Sequence, residues 1–236
     1  MGIGDGDRSA VTPGLLLVVV AAVALGMVLR FVALSPMWLD EAISASLADE
    51  AGIGWSALVD ALRHDGHPPL YYVLLGVWSD VFGTTDAALR AFSGVLGVFS
   101  LPLGWLVARR HLDRRGSVMM VAVLASSPFA VRYATEVRMY ALLLVLLLIL
   151  HLVVVRAWER PSTGRAGVVA VVVAALLLTH YWTLFALAVL GIGTLAARRV
   201  DRRRGNYLLG GVVAGCLAFV PWIPVLIDQM AHTGTP

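Results

Sequence analysis

The chain has 236 residues, 59% of them hydrophobic and 14% charged, with a mean hydropathy of +0.85, which excludes a water-soluble single domain of ordinary composition. A net charge of +3 and a pI near 9.4 do not indicate a nucleic-acid partner. The 18 basic residues are all Arg and sit in short clusters between apolar runs, a pattern that orients a chain in a bilayer.

A hydrocarbon core of about 30 Å needs roughly 20 apolar residues to cross as a helix. The first apolar run, 14–33, follows a short polar stretch and carries no small-residue cleavage site, so it reads as a retained helix rather than a cleaved signal peptide. The runs 87–108, 117–131, 139–155, 167–179, 184–197 and 207–227 follow, and together they predict an all-α integral membrane protein of about seven transmembrane helices. The only cysteine, Cys216, lies in the last run and has no partner for an internal disulfide.

Residues 70–82 are apolar but too short to span. A helix from Pro68 to Phe82 is about 22 Å long, with Leu70, Leu74, Val77, Trp78 and Val81 on one face, as for a helix lying along the interface. Leaving it out of the span count sorts the charges by side. The connections 109–115, 156–165 and 198–204 hold 12 Arg against 3 acids and are cytoplasmic by the positive-inside rule. The first long loop, about 34–86, then lies outside with six acids before residue 67, as do 127–140, 179–183 and the C-terminal end. The N-terminus is inside, and the expected location is the plasma membrane.

Three clusters of reactive residues fall on that outer face. Ser35-Pro36-Met37-Trp38-Leu39-Asp40-Glu41 places two carboxylates just past the first span, at the start of a short helix over 40–47. They suit a general base or metal ligand, and equally the cap of that helix. His67-Pro68-Pro69-Leu70-Tyr71-Tyr72 opens the interfacial helix, where His67 suits a phosphate, a sugar hydroxyl or a metal, or simply the surface. His64, Asp65 and His67 form a loose metal-ligand grouping that matches no specific spacing. In 127–140, Ser127-Pro128 interrupts an apolar helix and is followed by Arg132, Tyr133, Glu136, Arg138 and Tyr140. Ionisable groups at a membrane boundary are functional candidates, with a helix-anchoring Glu-Arg pair as the alternative. Arg90, beside Ser93-Gly94, suits a lipid phosphate or ordinary headgroups. His180-Tyr181-Trp182 reads most simply as an interfacial aromatic belt.

The ordered set of motifs from Arg30 to Tyr140 resembles the GT-C class of membrane glycosyltransferases, especially the branch of protein O-mannosyltransferases and aminoarabinose transferases. The resemblance implies a seven-helix module with two juxtamembrane helices in the first extracytoplasmic loop, here filling 1–236 as one domain. It also implies transfer of a sugar from a polyprenyl-phosphate donor, with inversion, to a hydroxyl of a protein, lipid or polysaccharide. Carried over, Asp40 is the catalytic carboxylate with Glu41 beside it. His67, Glu136 and Arg138 line the donor and acceptor cleft, and Tyr71, Arg90, Tyr133, Tyr140 and His180 are the further substrate-binding candidates. No cofactor is required, although a divalent metal is compatible with the class. Members of the class usually run to several hundred residues, so a C-terminal region or a partner chain is expected to supply acceptor specificity. The same outer cleft also suits a non-catalytic protein that binds or flips a polyprenyl-phosphate lipid. A general transporter fits less well, because no internal repeat is visible.

Overall fold

The computed structural model describes residues 11–32 and 35–233; the polar stretch before the first span, the end of that span at 33 and the last three residues lie outside the described residues. Among the described residues the chain is all-helical. The first helix, α1 (Pro13–Leu29), starts with Thr12 as N-cap, its hydroxyl accepting from the Leu15 N–H. The connection between α1 and the next long helix then builds three helices, α2 (Leu39–Ile53), α3 (Trp55–Leu62) and α4 (Leu70–Phe82), where two juxtamembrane helices were expected. Gly54, at φ 154° and ψ 167°, separates α2 from α3 in a conformation that a side chain disfavours, which is why 39–62 forms two helices.

The rest of the chain is α5 (Asp86–Ala108), α6 (Arg114–Ser126), α7 (Pro128–Ala134), α8 (Tyr140–Glu159), α9 (Thr163–Leu177), α10 (Thr183–Val200), α11 (Arg202–Ala218), a 3-10 turn at Val220–Trp222, and α12 (Ile223–Thr233). Asp113, Ser162 and Asp201, the polar residues inside the Arg-rich connections, cap α6, α9 and α11 by accepting from the N–H of Gly116, Arg165 and Arg204. Each of those connections is therefore a helix start as well as a basic cluster.

Four helical stretches are long and apolar enough to cross a membrane: Asp86–Ala108, Tyr140–Glu159, Thr183–Val200 and Arg202–Ala231. The pair α6 and α7, bent by 54° at Ser127-Pro128, makes a fifth if counted as one broken span. Of the seven expected spans, the remaining two match α1 and α9, which have 17 and 15 residues and fall short of the usual length. Apolar side chains cover the outside of the bundle, with Leu17, Val171, Phe185, Val189 and Ile192 each about 70% exposed. Such a surface is stable in lipid and would aggregate in water.

Helix α4 has the expected length and packs on α2 and α5. Tyr71, Tyr72, Leu75 and Ser79 face inward, whereas Leu74, Val77 and Val81 are exposed. The face picked out by periodicity is thus the one turned away from the protein. Within the bundle α5 packs on α8, α8 and α11 on α9, α10 on α11, and α1 on α6.

Candidate functional site

Asp40 and Glu41 are adjacent in the first turn of α2, so their side chains diverge by the helical 100°. Glu41 points inward and is 1% exposed. Its Oε1 accepts from Arg90 Nε and from the Val137 N–H, both at 2.9 Å, and its Oε2 accepts from Arg90 Nη2 at 2.7 Å and from the Trp38 N–H at 3.3 Å. Burial works against the charge, but the Arg90 guanidinium and the two N–H donors outweigh it and hold the carboxyl below its ordinary range. Arg90 is fully engaged as well, donating to the carbonyls of Ser35 at 2.8 Å and Pro36 at 3.2 Å. One carboxylate thereby ties together α2, α5 and the segment 136–138.

Asp40 points the other way. Its side chain is 38% exposed and its Oδ2 lies 3.6 Å from Arg138 Nη2. Arg138 is 5% exposed, and the same Nη2 is 3.3 Å from His67 Nε2, with the guanidinium 5.8 Å from the Tyr140 ring centroid. Burial opposes the charge of Arg138, yet Tyr140, Tyr72 and Asp40 together strengthen it. His67 is oriented by Asp65, whose Oδ2 is 3.0 Å from Nδ1. The His180 ring lies 5.7 Å from that of His67 and 6.0 Å from that of Tyr140. Burial first, then the neighbouring His67 and Arg138, push the His180 imidazole down to about 4, so it is neutral at pH 7. Asp40, His67, Arg138, Tyr140 and His180 therefore form one cluster, and His180 belongs to it as well as to the aromatic rim.

Glu136 is brought elsewhere. It bonds to Arg132 Nε at 3.0 Å and lines a polar cleft of about 530 Å3 with Trp38, Glu41, Arg90, Arg132 and Thr135. Two residues apart on an extended turn, Glu136 and Arg138 face different openings. Tyr71 is wholly buried; its hydroxyl meets Ser93 Oγ at 3.4 Å, and Ser93 in turn donates to the Arg138 carbonyl at 3.4 Å. It supports Arg138 from beneath. Tyr133 packs on Phe129 and Tyr140, with ring centroids 4.5 and 4.4 Å away, and these rings border an apolar groove of about 550 Å3 running along α8 to Leu147 and flanked by Trp182.

The loose grouping of His64, Asp65 and His67 does not converge: His64 Nδ1 lies 3.3 Å from the Asp60 carbonyl, and His67 binds Asp65. Among the described residues no three His, Cys, Asp or Glu side chains are placed to hold a metal ion. Between Asp40 and His67 stands the Arg138 guanidinium, whose Nη2 approaches both.

Two residues that periodicity and motif spacing did not single out hold this end of the molecule together. Arg30, 1% exposed, donates Nη1 to the carbonyls of Gly26 at 2.7 Å and Ala125 at 2.8 Å, and Nη2 to that of Leu124 at 3.0 Å. Pro128 has no N–H to offer Leu124 four residues back, so Arg30 satisfies a carbonyl that the helix break leaves without a partner. Gln229, 2% exposed, donates to the carbonyls of Leu62 at 2.7 Å and His67 at 3.0 Å, and accepts from Tyr181, which receives the Trp222 indole N–H at 2.9 Å. Its signal in the sequence is faint: an Asp228-Gln229 pair at the end of a long apolar run.

The polar cluster of carboxylate, guanidinium and imidazole shares Tyr140 with the apolar groove. The profile of the dolichyl-phosphate-mannose-protein mannosyltransferase family matches residues 66–227, well over half of the chain, and the chain belongs to that family of GT-C glycosyltransferases. Neither a curated protein nor a solved structure matched it. Asp40 and Glu41 lie upstream of the matched residues and join them through the bonds of Glu41 to Arg90 and Val137.

Proposed function

We propose that the chain transfers a sugar from a polyprenyl-phosphate donor to an acceptor hydroxyl, with inversion at the anomeric carbon, on the extracytoplasmic side of the plasma membrane. The observation that carries this reading is the pairing of an accessible carboxylate, Asp40, with a buried guanidinium, Arg138, which lies 5.8 Å from the ring of Tyr140, a residue that also lines the apolar groove. The groove, lined by Phe129, Tyr133, Tyr140 and Leu147, takes the prenyl chain, and Tyr140 borders both it and Arg138. Arg138 then holds the donor phosphate, with His67, kept in place by Asp65, as a second hydrogen-bonding group.

Asp40 accepts the proton of the acceptor hydroxyl as that oxygen forms its bond to C1 of the sugar. The bond from C1 to the phosphate oxygen breaks on the opposite face, and its electron pair leaves with the polyprenyl phosphate, whose charge Arg138 stabilises. That leaving group needs no proton. Glu41 is already saturated by four donors, so its part is positioning: it fixes the backbone that carries Asp40 and the segment that carries Arg138. The polar cleft by Glu136 and Arg90 is the approach for the acceptor, a protein, lipid or polysaccharide hydroxyl. The extracytoplasmic placement is supported by the Arg-rich connections at the other ends of the same helices.

The test is transfer of radiolabelled mannose from a polyprenyl-phosphate-mannose donor in proteoliposomes. Asp40→Asn is expected to lower the rate at least about a hundredfold, the usual scale of a lost general base, with donor binding retained. Unchanged transfer by that variant removes Asp40 from the chemistry. Donor binding without transfer by the unsubstituted chain, also when a longer family member is supplied, supports a lipid-binding role instead.

A further inference from the structure

The opposite end of the bundle carries a second polar cavity that the transfer chemistry does not use. Counting 1.5 Å per residue, α5 carries the chain about 30 Å from Arg90 to Arg110. There Arg110, from the end of α5, meets Arg156, Glu159 and Arg160 from the end of α8 and Arg165 from the start of α9, around a cleft of about 300 Å3. Residues some 50 positions apart in the chain thus bring four guanidinium groups to one opening, with Glu159 as the only acid lining it.

The way these groups are held favours an anion between them. Glu159 is taken by Arg110 at 2.7 Å, and Arg165 Nη1 is pinned by the Arg160 carbonyl at 2.7 Å. Among the described residues, the guanidinium groups of Arg156 and Arg160 have no hydrogen bond or ion pair. Arg165 is in the first turn of α9, where the helix dipole favours an anion and disfavours a cation, and that turn contains no acid. Four like charges converging on a small cleft repel one another unless a counter-charge sits between them.

The level of the cleft fits the same conclusion. It lies at the ends of α5 and α8, both long enough to span a bilayer. Trp105 and Trp158 are near these ends under the guanidinium groups of Arg109 and Arg204, at 5.9 and 5.7 Å, an aromatic and basic collar of the kind found at headgroup depth. We infer that this cleft is a binding site for a phosphate group, with Arg156, Arg160 and Arg165 as its donors. The phosphate belongs either to an anionic phospholipid of the adjacent leaflet or to a free phosphate anion.

The experiment is thermal unfolding of the full chain in neutral phosphatidylcholine nanodiscs, then in discs doped with increasing phosphatidylglycerol, and separately with inorganic phosphate. A saturable rise in Tm with phosphatidylglycerol is expected, and its half-saturating lipid fraction should rise by roughly a hundredfold in R156Q/R160Q/R165Q, with each Arg near an anionic surface contributing about fivefold. All three side chains are at least partly exposed, so the variant keeps the fold. The control R199Q/R202Q/R203Q alters an Arg cluster that does not line the cleft and should behave as the unsubstituted chain. A saturable rise with inorganic phosphate alone, lost in the first variant only, identifies the free anion as the occupant. Equal loss in both variants, or no rise with either phosphate source, overturns the site.

Discussion

Asp40 and Glu41 are neighbours with opposite surroundings, and substitution should separate them. Glu41→Gln leaves the Arg90 guanidinium without its counter-charge in a buried place, a change that costs about 3 kcal/mol in comparable pairs. The expected outcome is a clear fall in Tm together with lost transfer, whereas Asp40→Asn loses transfer with Tm almost unchanged. Because the folded Glu41 carboxyl titrates below its ordinary value, its contribution is complete above about pH 4.5 and declines as the pH falls through the folded value. His180 works in the other window. Its imidazole is depressed to about 4, so between about pH 6.5 and 4 the unfolded chain binds a proton that the folded chain does not, and stability falls as the pH is lowered. Unfolding scans from pH 7.5 to 4.5 should show a smaller loss for His180→Gln than for the unsubstituted chain. An identical pH dependence would mean that the ring is free to protonate in place.

Helices that look ordinary in the sequence are held by single side chains from distant positions. The Ser127-Pro128 break was legible because Pro cannot donate to the turn before it. What was not legible was the partner of the exposed carbonyls, since Arg30 sits 95 residues away and reads simply as the end of an apolar run. Close packing completes the contact: a Cβ on Gly97 would come within 2.6 Å of the Ala134 Cβ and 3.1 Å of Arg30. Arg30→Leu is expected to deprive the carbonyls of Gly26, Leu124 and Ala125 of this donor, each costing about 1 to 3 kcal/mol, and to let α7 shift. Hydrogen exchange should report faster exchange over 124–134 in that variant, and no change there would limit Arg30 to packing. Helix α4 was recognised by its length, but its burial was not: an interfacial helix has one apolar face for lipid and one for protein, and hydropathy does not distinguish them. The aromatic pair Tyr71 and Tyr72 marks the protein side.

On the scale of the whole molecule, hydropathy and charge revealed an all-helical membrane protein, and the motif order revealed its family, because both are carried by local composition. The division of this end of the molecule into an Asp40–Arg138–His67 cluster and a Glu136–Arg90 cleft was hidden, since it depends on which way side chains two residues apart turn. The orientation can be tested with the lone cysteine removed. In a Cys216→Ala background, Thr84→Cys should react with a membrane-impermeant maleimide in intact cells, and Leu112→Cys only after permeabilisation. The reverse pattern would place the Asp40 cluster in the cytoplasm.

The grip of Gln229 on the His67 carbonyl links two points 162 residues apart. A ribosome adding roughly 5 to 20 residues per second needs on the order of 10 to 30 s to travel between them. During that interval the nascent chain already carries Asp40 and His67, and later Arg138, but lacks the clamp that holds the His67 carbonyl. Completion of the cluster is therefore timed by synthesis itself: the contact that holds the His67 backbone arrives with α12, after every preceding helix has had the chance to insert.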